Sequence, residues 1–218
     1  MHDLRLAVRA VWASPVVTAA AVLSLALGIG ANTAIFSLVN SLLLRALPVR
    51  APDRLVRLST GTREGEDQYS LATYDQIRRH AQAFDGALAF SLGGRGTMTF
   101  DGREQPVDSQ FVSGDFFSTL GVSALLGRTL TPADDVRGGG PDGPAAVIGY
   151  GLWQRLGGSP GIIGQRLNAE TGPLTIVGVI RPEFFGVVVG RSFDVYKATR
   201  TYEVAAGTPY RTTAHGTK

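Results

Sequence analysis

Pro15-Val-Val-Thr-Ala-Ala-Ala-Val-Leu-Ser-Leu-Ala-Leu-Gly-Ile-Gly-Ala-Asn-Thr-Ala-Ile-Phe-Ser-Leu-Val-Asn-Ser-Leu-Leu-Leu44 is the stretch that decides how this chain is organised. From Ala10 to Leu44 there is no Asp, Glu, Lys, Arg or His. A helix needs about 20 mostly apolar residues to cross a hydrocarbon core roughly 30 Å thick. At about 1.5 Å per residue the quoted stretch can reach roughly 45 Å. In lipid the backbone must satisfy its own hydrogen bonds, so a lone spanning segment has to be helical. A cleaved signal peptide has a shorter apolar core, about 7–15 residues, and then a small-residue cleavage site. Gly28 and Gly30 mimic such a site, but the apolar character runs on to Leu47 and favours a retained span over residues 15–47.

The span is not uniformly apolar. Ala20, Ser24, Gly28 and Asn32 recur every four residues, and Ala26, Gly30 and Ala34 make a second such row. Small residues at that spacing let another helix approach closely. Thr33, Ser37, Asn40 and Ser41 form a polar seam that is costly to turn towards lipid. Ser24, Gly28, Gly30, Asn32, Ser37 and Asn40 are therefore candidate helix-packing residues, against the plainer reading of a membrane anchor with incidental small residues.

Upstream, residues 1–14 read as a short amphipathic helix at the membrane interface, with Leu4, Ala7, Val8, Val11 and Trp12 on one face and Arg5 and Arg9 off it. Arg5 and Arg9 precede the span, whereas Arg45, Arg50, Arg54 and Arg57 follow it. Positive charge alone thus favours a cytoplasmic C-terminal side, a weak argument when a long domain follows.

Downstream, the pattern is that of an α+β domain. Leu55–Leu58 reads as a strand and Ser59–Gln68 as a polar loop. A helix over 70–84 has Leu71, Tyr74, Ile77 and Ala81 on its inner face. Strands at 87–92 and 96–100 lead into Asp101-Gly102, a type I′ hairpin signal, and a return strand at 105–112. Ser113 can cap a short helix to Leu120, and Thr131-Pro-Ala-Asp134 has the form of a capping box with Asp in the last place. A Gly-rich loop over 137–144 is followed by a buried strand at 145–148, a helix at 150–156 and a strand at 174–180.

The 218 residues carry a net charge of +3 with no Lys/Arg run, so nothing marks a nucleic-acid patch. Without cysteine there is no disulfide framework and no thiolate metal site. The only lysines are Lys197 and Lys218, and neither lies in a phosphate-cradling Gly-x4-Gly-Lys loop. A Gly-x-Ser-x-Gly nucleophile elbow is absent, and His2, His80 and His215 have no ligand spacing. Asp134-Asp135 suits capping at a helix start better than metal ligation. At least one residue of each pair, Phe116-Phe117 and Phe184-Phe185, suits a core, with an aromatic ligand platform as the other reading. No enzyme, cofactor or metal site is expected.

Three stretches carry a resemblance. They are Ser24-Leu-Ala-Leu-Gly-Ile-Gly-Ala-Asn-Thr-Ala-Ile-Phe-Ser-Leu-Val-Asn40 with Leu44-Arg-Ala-Leu-Pro48; Val112-Ser-Gly-Asp-Phe-Phe-Ser-Thr-Leu-Gly-Val122 with Leu126-Gly-Arg128 and Asp134-Asp135; and Ala146-Val-Ile-Gly-Tyr-Gly-Leu-Trp-Gln-Arg155 with Ile176-Val-Gly-Val-Ile180 and Phe184-Phe-Gly186. Together they resemble the N-terminal part of a MacB/FtsX-type ABC transporter permease, most of all the branch with a duplicated permease unit. The resemblance implies a cytoplasmic N-terminus, one span through the inner membrane and a MacB-like periplasmic core domain over 48–196. It also implies contact with lipid, other permease helices, a partner ATPase and a periplasmic adaptor, with mechanical coupling instead of catalysis in this chain. After Tyr196 the sequence departs from the family's apolar, proline-containing continuation, so residues 197–218 are expected to be an unpacked tail and the chain a truncated or frameshifted permease. The rival is a self-sufficient membrane-anchored binding module that needs no ATPase.

Overall fold

The computed structural model describes residues 15–39, 49–58, 70–80, 84–91, 93–188, 190–202 and 213–217. The chain divides into two units, Met1–Ala46 and Leu47–Lys218. In the first, helix α1 covers the described residues Pro15–Val39. Its Pro15–Ser37 portion is long and apolar enough to cross a membrane, and none of it is buried within the chain. The expected interfacial helix over 1–14 and the end of the span over 40–47 lie outside the described residues.

The second unit is built on strands β1 (Leu55–Arg57), β2 (Gly86–Phe90), β3 (Gly94–Phe100), β4 (Arg103–Val112), β5 (Ala124–Gly127), β6 (Ala145–Ile148), β7 (Arg166–Ala169), β8 (Gly172–Ile180), β9 (Val195–Ala198) and β10 (Thr213–Thr217). Short helices α2 (Leu71–His80), α3 (Phe116–Leu120) and α4 (Tyr150–Arg155) lie between them. The β3–β4 hairpin forms where Asp101-Gly102 predicts it, with φ of 47° and 72° at the two loop residues, as a type I′ turn requires. Pro106, which has no N–H to donate, stands opposite Thr97, before β4 gains its second neighbour at Ser109.

Strand pairing runs β4–β3–β7–β8–β6–β9 and closes when β9 pairs in parallel with Ser109–Val112 of β4. All six strands of this circuit give side chains to one aliphatic cluster, including Met98, Val107, Ile148, Leu167, Ile176 and Val195. The opposite faces of β4, β6, β8 and β9 meet α3 and β2 in a second, aromatic core. A three-stranded antiparallel ribbon, β1–β10–β2, joins β4 through the pair Phe90–Val112. Helix α2 packs on β2 with Leu71 and Tyr74 buried, as the spacing predicts; the Tyr74 hydroxyl donates to the Ala87 carbonyl at 3.1 Å.

Three expectations need correction. Ser113 does not cap α3: its hydroxyl accepts the Ala89 N–H at 3.0 Å and ties β4 to β2, and Asp115 holds the cap position without a side-chain bond. Thr131–Asp134 closes a turn on itself with no helix following. The tail drawn from 197 also fails. Lys197 and Ala198 complete β9, Thr199 and Thr201 are buried, and Thr213–Thr217 is a paired strand between β1 and β2. Its sequence has no apolar alternation, but its backbone satisfies the edges of two neighbours, and a strand needs no more than that.

Candidate functional site

The candidate helix-packing residues Ser24, Gly28, Gly30, Asn32 and Ser37 are all exposed along α1, and a Cβ at Gly28 or Gly30 would meet no atom within 4 Å. Asn40 lies outside the described residues.

In the domain, Phe116, Phe117 and Phe184 are core, whereas Phe185 is half-buried. Phe116 and Phe117 are fully buried and Phe184 nearly so. Phe116 meets Phe117, Phe90 and Phe184 edge to face at 5.2, 6.2 and 6.3 Å, and Tyr196 packs on the same group. Burial, with Asp194 nearby, pushes the Tyr196 hydroxyl well above its ordinary pKa. Phe116 and Phe117 have no surface left for a ligand platform.

Asp134 and Asp135 cross-link loops. Arg128 grips both oxygens of Asp134 at 2.7 and 2.8 Å, and the Thr131 N–H and hydroxyl donate to it at 2.8 Å. Burial pushes the Asp134 carboxyl up, but these donors outweigh it and hold the group below the usual carboxylate range. Asp135 accepts the Gly114 N–H at 3.0 Å and the Arg200 N–H at 2.8 Å, joining the turn before α3 to the segment after β9. There burial wins, and the Asp135 pKa is raised despite both amides. Arg200 also pairs with Asp75 of α2. A similar knot ties β4 to the segment before β9: Arg191 pairs with Asp108, and Asp194 accepts the Asp108 N–H at 3.0 Å and pairs with Arg155. These carboxylates are occupied by donors, and no group of three or more metal-ligating side chains occurs among the described residues. His80 is exposed at the end of α2, with Nδ1 2.9 Å from the Gln76 carbonyl oxygen.

Sequence reasoning missed Lys197. It is 6% exposed, and its amine stands 4.4 Å from the centre of the Phe111 ring. It opens on a cavity of about 370 Å³ lined by β3, β4, the β7–β8 turn and β9. Burial lowers its pKa to about 8, with Glu170 acting in the opposite direction. The usable signal was local: within Val195-Tyr-Lys-Ala198, strand alternation puts Lys197 on the side of Val195, not of Tyr196.

With this geometry in view, the comparisons are specific. A family model described as the MacB-like periplasmic core domain matches residues 18–214. The chain belongs to that family. Its homologues are components of ABC transporter permeases and not typical enzymes. Among solved structures, the fold is similar to the extracellular domain of the noncanonic ABC-type transporter YknZ from Gram-positive bacteria, at 14% identity and TM-score 0.55 over 75% of this chain and 82% of that one. It is similar to the periplasmic region of MacB from Actinobacillus actinomycetemcomitans, at 12% identity and TM-score 0.55 over 75% and 72%. A permease-protein domain from Porphyromonas gingivalis aligns at 18% identity and TM-score 0.51 over 69% and 63%. No curated protein matches the sequence. The family match ends at Ala214, inside β10, and so covers residues 197–214 of the segment that sequence reading set apart as a tail.

Proposed function

We propose that this chain is the first membrane helix and extracytoplasmic domain of a MacB/FtsX-type permease, and that it couples ATP hydrolysis on a partner subunit to work outside the membrane. The observation that carries the reading is the extent of the family match, which starts at Thr18 inside α1 and runs through the strand circuit to β10. Span and domain are thus matched as one unit, which suits a part that transmits movement from membrane to domain.

In this reading the N-terminus is cytoplasmic, α1 crosses the inner membrane, and the domain from about residue 48 is periplasmic, where an adaptor can meet it. One span cannot line a transport pathway. The rows of Ser24, Gly28, Gly30, Asn32, Ser37 and Asn40 are assigned to packing against further permease helices, since close approach in lipid depends on small residues and interhelical hydrogen bonds.

Co-purification of the tagged chain from its native membranes is the test. Recovery of an ATP-binding subunit is expected, and a chain that is stable, membrane-bound and repeatedly free of any such subunit would favour the self-sufficient anchored module. Topology has its own check: a reporter active only outside the cytoplasm, fused after Lys218, should be active, and a silent reporter on a stable fusion would reverse the orientation. Carbonate extraction should leave the chain with the membranes.

A further inference from the structure

The segment that leads from the span into the domain is rich in arginine. Between residues 45 and 57 stand Arg45, Arg50, Arg54 and Arg57, against one acid, Asp53. The proposed orientation puts these arginines on the translocated side, where positive charge beside a span is normally scarce. Coupling to an ATPase gives them no task.

The fold holds one of them closely. The Arg50 N–H donates to the Leu120 carbonyl at the end of α3, at 2.7 Å. Its stem lies over Gly121, where a Cβ would come within 2.8 Å of the Arg50 Cβ. The residue is exposed, and no hydrogen bond or ion pair to the described residues engages its guanidinium. Arg54 lines the same cleft, of about 270 Å³, together with Gly86, Ser118 and Thr119. Asp85 is the opposing charge: its carboxylate meets Arg54 at 2.9 Å, with both side chains more than half exposed. So exposed a pair is weak, and Arg54 can turn to a phosphate at little cost. The planar guanidinium suits that ligand, since it can offer two parallel N–H groups to two phosphate oxygens.

Covalent reach keeps the cleft near the membrane surface. The apolar run ends at Leu47, and the three residues from there to Arg50 span at most about 11 Å. The headgroup layer adds roughly 5–8 Å to each side of the hydrocarbon core. The potential of an anionic surface extends beyond it by a Debye length, about 8 Å at physiological ionic strength. Lipid phosphates are therefore within reach of Arg50 on whichever side the domain lies.

We infer that the cleft between Arg50 and Arg54 holds the phosphate of an anionic phospholipid and so fastens the start of the domain to the membrane surface. The inference rests on residues 15–47 crossing the membrane and needs no ATPase.

The full chain in neutral detergent is titrated with phosphatidylglycerol, and bound lipid is counted by native mass spectrometry. Phosphatidylcholine with the same acyl chains and soluble glycerol 3-phosphate are the comparators. Phosphatidylglycerol should bind saturably and more tightly than phosphatidylcholine, and glycerol 3-phosphate at equal concentration should not displace it. Arg50→Gln should weaken phosphatidylglycerol at least fivefold, the factor that about 1 kcal/mol per arginine near an anionic surface gives. Asp85→Asn, which releases Arg54, should tighten it. Such opposite shifts are not what a general disturbance of the fold produces. Arg166→Gln, at an exposed position of β7, is the control and should change nothing. Equal affinity for phosphatidylcholine, displacement by glycerol 3-phosphate, or unchanged affinity in Arg50→Gln or Asp85→Asn would overturn the proposal. An equal loss in Arg166→Gln would overturn it too, by marking diffuse charge in place of a site. A chain that carbonate strips from its membranes would overturn the span, and this inference with it.

Discussion

Successive residues of β9 face different surroundings. Val195 enters the aliphatic core inside the strand circuit, Tyr196 the aromatic core outside it, Lys197 the cavity at the end of the circuit, and Ala198 the aromatic side again. Strand β6 behaves the same way, with Ala146 and Ile148 inward and Ala145 and Val147 outward. The two cores therefore share strands but differ in chemistry. The outer one is held by a few large rings in edge contact, and such pairs add about 0.5–1.5 kcal/mol beyond their buried area. The inner one consists of many branched aliphatic groups with no dominant member. The outer core should accordingly depend on single residues, and the inner one should spread its stability over many.

Four measurements can break or sharpen that contrast. Phe116→Ala should have the largest effect: the ring is fully buried and meets four other rings, so unfolding free energy should fall by about 3–5 kcal/mol in denaturant titration. A loss under 1 kcal/mol would mean that the aromatic hub is not a hub.

Next is Lys197, a charged group on the inner side. The Lys197 pKa in the folded chain, about 8, lies below the ordinary 10.5. The unfolded chain therefore binds more protons than the native one between those values, and stability should rise with pH across that window. The burial penalty is fully present below pH 8 and is relieved by about 3 kcal/mol as pH climbs towards 10.5. Lys197→Met should remove the rise and stabilise the chain at pH 7. An unchanged slope in the variant would show that the ammonium is better solvated than its burial implies.

Third, Asp135→Asn should cost about 1–3 kcal/mol. Each Asp135 oxygen accepts a backbone N–H, from Gly114 and from Arg200, and an asparagine would turn an NH2 group towards one of them. Because this clamp lies beside the aromatic core, the loss should appear also as faster amide exchange in α3, and unchanged exchange there would confine the clamp's role to the loop. The smallest effect should be Ile176→Val in the inner core, about 0.5–1.5 kcal/mol. A loss as large as that of Phe116→Ala would abolish the distinction between the two cores.

Legibility in the sequence followed the range of the forces involved. The β3–β4 hairpin was legible because Asp101-Gly102 carries its own turn chemistry, and the buried face of α2 because Leu71, Tyr74 and Ile77 repeat at helical spacing. Ser113 was misread because a hydroxyl beside a helix start suits capping equally well, and only the nearness of Ala89 in β2 gives it a better donor. The Asp134-Asp135 pair looked like one feature, yet the fold gives the two neighbours separate partners, Arg128 with Thr131 for one and Gly114 with Arg200 for the other. Strand β10 was illegible because Thr213–Thr217 carries no apolar alternation; its place follows from the open edges of β1 and β2.

By itself the sequence determined the membrane-length helix, since thirty-five residues from Ala10 to Leu44 without a charged side chain have few other stable environments. It determined the α+β character and the residues that carry the family, because turn chemistry and apolar periodicity are local properties. Only the tertiary structure decided that the circuit closes, since Ser109–Val112 meets Val195–Ala198 across most of the domain. That closure separates two cores along shared strands, and with Gly94 and Gly96 on the facing strand it leaves Lys197 beside an open space. The physical reason is that burial belongs to no residue alone: it is set by which distant segments cover it, and a lysine in a strand is a surface residue until a neighbouring strand closes over its stem.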